Sequence, residues 1–222
     1  LDTKDRNAPG TASLLAVESN AFATTNKPLL VGIWTRNSAN ADNTLTVTIG
    51  TLGRTPGTGT PLTLVPGAGA GGRGRRTSVE MQAFYIMAPG TGNYTIQVAS
   101  TNPVYGAKIT VEEHGGAVSF YAPTASLGLS LATSLSNNIT TAQNNSNVVH
   151  MLARFGGGSG DPVTVGGAGV AALVNGPTGS NTSLDMMAVM SWAPAASLGA
   201  YAASNTWGSP QVAQVLSIEV RS

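Results

Sequence analysis

Apolar and polar residues alternate along most of this chain. In TLTVTIG, Leu45, Val47 and Ile49 share one side while Thr44, Thr46 and Thr48 take the other. In NYTIQV, Tyr94, Ile96 and Val98 alternate with Asn93, Thr95 and Gln97. Near the end, Leu216, Ile218 and Val220 alternate with Ser217 and Glu219. A period of two is that of a β-strand with one buried face. Related or more continuous apolar runs predict strands over 12–17, 29–36, 62–65, 79–87, 107–111, 117–121, 147–155 and 184–192.

Clusters of Pro, Gly and Asn at 88–93, 156–162 and 175–181 mark turns between these runs. No window carries a capped helical stripe. The least regular is 124–142, where Leu127, Leu129 and Leu131 alternate but Leu135 and Ile139 also fit a short helical turn. Ten or more short strands with such connections predict an all-β fold, a two-sheet antiparallel β-sandwich, jelly-roll-like. Residues 11–222 are assigned to a single β-sandwich domain, a length that suits one large all-β unit. Residues 1–10 stand apart: LDTKDR holds four of the 21 charged residues, Asp2, Lys4, Asp5 and Arg6, and NAPG after it cannot continue a regular element. An extended N-terminal arm and a frayed terminus both fit this segment.

Only 9% of residues are charged, against about 25% in an average soluble domain. The polar surface therefore rests on hydroxyl and amide groups, which suits permanent packing against neighbours or an extracellular setting. Disorder is excluded, because 41% of residues are hydrophobic and the net charge is +1. The same balance argues against direct nucleic-acid binding, which is electrostatic first. No apolar run reaches the roughly 18 residues of a membrane span. No signal peptide is read, and Leu1 in place of an initiator Met fits a processed form or a numbering choice. With no cysteine, disulfides and thiolate metal sites are excluded.

Candidate chemistry is sparse. His150 alternates with Val148 and Leu152 and is expected in a core or interface. In the Glu112-Glu113-His114 cluster, strand alternation lets at most Glu112 and His114 converge, too few ligands for a metal, so a solvated strand end is expected. No metalloprotease or nucleophile-elbow motif occurs. Nothing among the ten carboxylates singles out a glycosidase pair. No cofactor, no required metal and no catalytic residue is expected. Trp34, Tyr85 and Trp192 lie in apolar strand patterns and are expected in the core. Tyr105, Tyr201 and Trp207 lie in or near Gly-, Ala- and Ser-rich segments. They would serve either as exposed stacking platforms or as caps on the ends of the fold.

The stretch PGAGAGGRGRR spells G-x-G-x-x-G with Gly67, Gly69 and Gly72. A dinucleotide site would need a helix to follow, whereas the alternating run ending at Pro89-Gly90 predicts a strand. The stretch is therefore expected to be a long hairpin-type loop. Arg73, Arg75 and Arg76 would form a basic rim, either contacting an acidic neighbour or solvated.

The runs LLVGIWTRNSANADNTLTVTIG (29–50), PLTLV (61–65), VEMQAFYIMAPGTGNYTIQV (79–98) and VAQVLSIEV (212–220) resemble β-sandwich structural proteins of tailed bacteriophages and related bacterial surface domains. The opening LDTKDR is similar to the N-termini of small tailed-phage structural proteins. The resemblance covers about half of the chain and transfers no catalytic or ligand residue. It implies a non-enzymatic virion structural protein, of the capsid decoration, head-fibre or collar type, located in the virion. Its implied partners are copies of itself and other virion or shell proteins. The alternative is a secreted or cell-surface carbohydrate-binding or adhesive module, with glycans as partners and Tyr201 and Trp207 as platforms. A glycan-cleaving enzyme is the third class, without a visible acid pair.

Overall fold

A computed structural model describes residues 2–7, 14–37, 43–53, 58–67, 73–76, 79–127, 131–155, 161–177 and 186–222. Every regular element among them is a strand, and the sheets are antiparallel. The first half of the chain supplies β1 (Asp2–Asn7), β2 (Leu14–Glu18), β3 (Phe22–Thr25), β4 (Leu29–Asn37) and β5 (Leu45–Gly50). It continues with β6 (Thr60–Pro61), β7 (Thr63–Leu64), β8 (Arg73–Arg76), β9 (Val79–Ile86) and the 23-residue β10 (Thr91–Glu113). The second half supplies β11 (Ser119–Leu127), β12 (Ala132–Thr140), β13 (Ser146–Phe155) and β14 (Thr164–Gly166). It ends with β15 (Ala171–Pro177), β16 (Met186–Ala195), β17 (Ala200–Gln211) and β18 (Ala213–Arg221). The doubtful segment 124–142 thus falls within β11 and β12, with no helical turn among its described residues.

Hydrogen bonding divides these strands into three sheets, of ten, five and three strands, one sheet more than the sequence pattern suggests. The first is organised by β10. One edge of β10 pairs in turn with β3, β2 and β1, and the other with β5 and β4. The register shifts between Ala99 and Val104, where Pro103 lacks an amide to donate. The nearly closed sheet lines an apolar core that includes Val31, Ile33, Val47, Ile49, Phe84, Ile96 and Ile109. Asn43 accepts from the Asn102 amide and donates to the Asn37 side chain, holding this region with a buried polar network.

The opposite face of β4 and β9 carries Leu30, Trp34, Met81 and Ala83 into a second core with Val149, Met151, Met190, Leu216 and Ile218. The other face of this second sheet (order β11-β18-β13-β16-β15) packs Leu152, Val189 and Val215 against Trp207 and Val163, on and beside the third sheet (β12-β17-β14). The central strands of the second sheet are therefore an inner layer covered on both sides. Its polar residues are buried along with its apolar ones: Ser217 and Glu219 are as enclosed as Leu216 and Ile218. Each finds a partner, as a buried polar group must. Glu219 accepts from the amides of Ala142 and Gln143 and from the Ser146 hydroxyl, and Ser217 meets His150.

Two sequence expectations change here. The glycine–arginine stretch is not all loop, because Arg73–Arg76 forms β8, antiparallel to β9. Residues 68–72, including Gly69 and Gly72, lie outside the described residues. The backbone of Asp2–Asn7 does not stand ahead of the fold but lies along β10, from Asp2 opposite Val111 to Asn7 opposite Gly106.

Candidate functional site

Where β10 ends, the first sheet stops covering the second, and a cavity of about 290 Å³ opens between them. Alternation turns Lys108, Thr110 and Glu112 toward the second sheet, while Ile109 and Val111 enter the first core. Glu113 consequently points away. Its carboxylate accepts from the Thr25 amide at 2.8 Å, and this bond holds its pKa below the usual value. After it the chain turns sharply: the His114 amide donates to Pro28 O, and Gly116 adopts φ +85°, a conformation that favours glycine. The Val118 amide then joins Arg221 O.

This turn holds His114 beside the cavity. Its Nε2 lies 3.1 Å from Glu112 Oε2, and its ring meets Phe120 edge-on, with centroids 5.8 Å apart. Glu112 and His114 thus converge, but not as a solvated strand end. The Glu112 residue is 4% exposed, and its Oε1 is buried without a hydrogen-bond partner. Asn147, Leu173, Trp192 and Val220 form the facing wall. Among the described residues no three His, Cys, Asp or Glu side chains come together as a metal site would require.

Trp192 corrects an expectation. It continues the row of Ala188 and Met190, both fully buried, yet it is 36% exposed because the covering sheet ends before reaching it. Trp34, from the same class of apolar pattern, is fully buried and donates its indole N–H to Leu152 O at 2.9 Å. Tyr85 is half-buried against the same core. No alternation rule separates Trp192 from Trp34. The only sequence signal is the Gly115-Gly116 pair that ends the cover.

Trp207 is the converse case. Its ring is buried against Val163, Leu152 and Val215, and its indole N–H donates to Ala132 O at 2.8 Å. The Arg154 guanidinium stands 5.7 Å from the ring centroid, so Trp207 offers no free face for stacking. Tyr201 is half-buried and lines a separate surface cavity with Gly167, Val170 and Ala193, where no charged residue is present. Its hydroxyl donates to Ser197 O at 2.7 Å. Tyr201 and Trp207 therefore lie in different environments and form no common platform.

The charged candidates are placed by backbone alone. Asp2, Lys4, Asp5 and Arg6 lie in β1, and Arg73, Arg75 and Arg76 in β8; their side chains, with that of Tyr105, lie outside the described residues. Register runs from Arg6 through Ala107, Thr35 and Glu80 to Arg75. The charged arm and the basic strand are thus separated by three strands. Arg75 sits opposite the buried Glu80, an acidic neighbour from this same chain. His150 is buried as expected, on the inner layer.

The remaining described carboxylates hold strands and turns. Glu18 accepts from Thr95, Gln97 and the Gly53 amide. Glu80 accepts from Asn37 and Gln82. Asp161 pairs with Arg154 at 2.8 Å and accepts from the Gly208 and Ser209 amides. Comparison with models of protein families, with curated proteins and with solved structures returns no match for this chain.

Proposed function

We propose that the chain is a non-enzymatic structural subunit of a virion, of the capsid decoration, head-fibre or collar type. On this reading it is a sandwich-like β-scaffold that assembles with itself and with other shell proteins. The observation that carries the proposal is the use of charge. In a chain with so few charged residues, Glu18, Glu80, Asp161 and Glu219 each bridge strands or turns through several hydrogen bonds. Surfaces left to hydroxyl, amide and small apolar groups lack the charge repulsion that keeps free proteins apart. The N-terminal strand, on the outer edge of β10, supports a docking role for residues 1–10.

Light scattering across a concentration series, with co-sedimentation on particles, tests the proposal. Self-association and particle binding are expected. A chain that stays monomeric at high concentration and never accompanies particles would overturn it. Removal of residues 1–10 is expected to abolish incorporation while circular dichroism still reports a β-fold. Undiminished incorporation would refute the role of the arm.

A further inference from the structure

We propose that the cavity between the end of β10 and the second sheet binds one neutral pyranose ring. This site is independent of the assembly role. At about 290 Å³ it is at the lower end of the roughly 300–1,000 Å³ typical of ligand pockets, enough for a single ring. Trp192 and Leu173 give the wall an apolar surface, and Trp192 is the described tryptophan with substantial exposure. An indole face packs well against the C–H face of a sugar.

The polar side of the cavity is equally specific. Glu112 Oε1 is a carboxylate oxygen removed from water without a hydrogen bond, an arrangement that costs free energy until a donor arrives. Turning of the Glu112 side chain toward the cavity would let a ligand hydroxyl supply that donor. Glu112 Oε2 is already held by His114, so the carboxylate is oriented before the ligand binds. Asn147 adds an amide with both donor and acceptor capacity. Hydroxyl groups both donate and accept, and this mixed set suits them.

Other ligand classes fit less well. No Lys or Arg lines the cavity, and the Glu112 carboxylate does, so a phosphate or uronic acid would meet repulsion. A cationic group could use Trp192 and Glu112. However, Glu113 is engaged by Thr25, so a single carboxylate oxygen, Glu112 Oε1, would meet such a group, and the Asn147 donor would be left unused.

The test is a titration of the full chain, followed by tryptophan fluorescence and saturation-transfer NMR. The probes are the methyl glycosides of glucose, galactose, mannose and N-acetylglucosamine, together with glucuronic acid and tetramethylammonium. Saturable binding of at least one neutral glycoside is expected. Trp192→Ala and Glu112→Gln should each weaken it about tenfold or more, while Trp207→Phe leaves it unchanged. Should Trp192→Ala not fold, Trp192→Phe is expected to bind more weakly than the parent chain, and equal affinity would count against the site. The proposal fails if no neutral glycoside saturates, if only tetramethylammonium or glucuronic acid binds, or if binding survives replacement of both Trp192 and Glu112.

Discussion

His150 Nδ1 lies 2.9 Å from the Ser217 hydroxyl, inside the inner sheet, and the other ring nitrogen is buried with no hydrogen-bond partner. Burial disfavours the imidazolium and lowers the pKa from 6.5 to about 4. Between those values the unfolded chain binds a proton that the folded chain does not. Stability is therefore fully retained above pH 6.5 and falls as pH drops toward 4. The loss is on the order of 3 kcal/mol, at about 1.4 kcal/mol per pKa unit. Urea denaturation at a series of pH values measures it. A His150→Gln variant should have a flatter profile over this window, and an unchanged slope would assign the effect elsewhere.

Arg154 is fully buried and depends on Asp161, whose carboxylate also caps the Gly208 and Ser209 amides. Desolvation, the largest single influence, raises the Asp161 pKa, but the Gly208 and Ser209 amides and Arg154 together outweigh it and hold the pKa below its usual value. Asp161→Asn removes the negative charge that Asp161 places against the guanidinium. A cost of about 2–3 kcal/mol is expected, less than for a fully enclosed pair because Asp161 retains contact with water. Adding Arg154→Met should recover much of the loss, and thermal denaturation of the single and double variants decides it.

Gly67 approaches Ala122 so closely that a Cβ would stand 1.8 Å from its carbonyl oxygen. The two residues form a parallel bridge between the halves of the chain, beside the bond from the Ala122 amide to Pro66 O. Gly67→Ala cannot be absorbed by a side-chain rotation, since the obstacle is backbone. Destabilisation by more than about 2 kcal/mol is expected. A melting temperature within a degree of the parent would show that this contact is dispensable.

The two tryptophans should respond in opposite ways. Trp207→Ala empties a packed site and removes a buried hydrogen bond, with an expected cost of about 3–5 kcal/mol. Trp192→Ala removes a ring already open to water and should cost about 1 kcal/mol or less. Acrylamide quenching of the parent chain should reach Trp192 and spare Trp34 and Trp207.

The strand pattern was legible because alternation is a local property. Leu45, Val47 and Ile49 are buried and Thr44 and Thr46 exposed, as the pattern requires, whereas Thr48 is buried. What alternation could not reveal was the second cover on the inner sheet. Ser217 and Glu219 read as solvent-facing, yet they are buried because another layer lies over them and supplies their partners. The cavity was hidden for the complementary reason. Trp192 has the sequence environment of a core residue and becomes accessible only where a distant strand ends. Trp207, among Asn, Thr and Gly, is enclosed by residues from other strands, including Ala132 and Leu152. The Glu112–His114 pair was readable from spacing alone, but its burial was not.

The pairing of β1 with residues 106–111 has a consequence for biosynthesis. During synthesis β1 emerges well before its partner in β10, with β2 to β9 made in between. Strands β2 and β3 wait for the same element, whereas β4 and β5 also have the earlier partners β9 and β6. Contacts so distant along the chain are slow to form and leave apolar segments unprotected in the meantime. Completion of the first sheet is therefore expected as a late event, when β10 emerges. Ribosome-bound chains truncated before residue 91 should remain sensitive to protease throughout, placing the vulnerable interval of this protein's life before its longest strand is made.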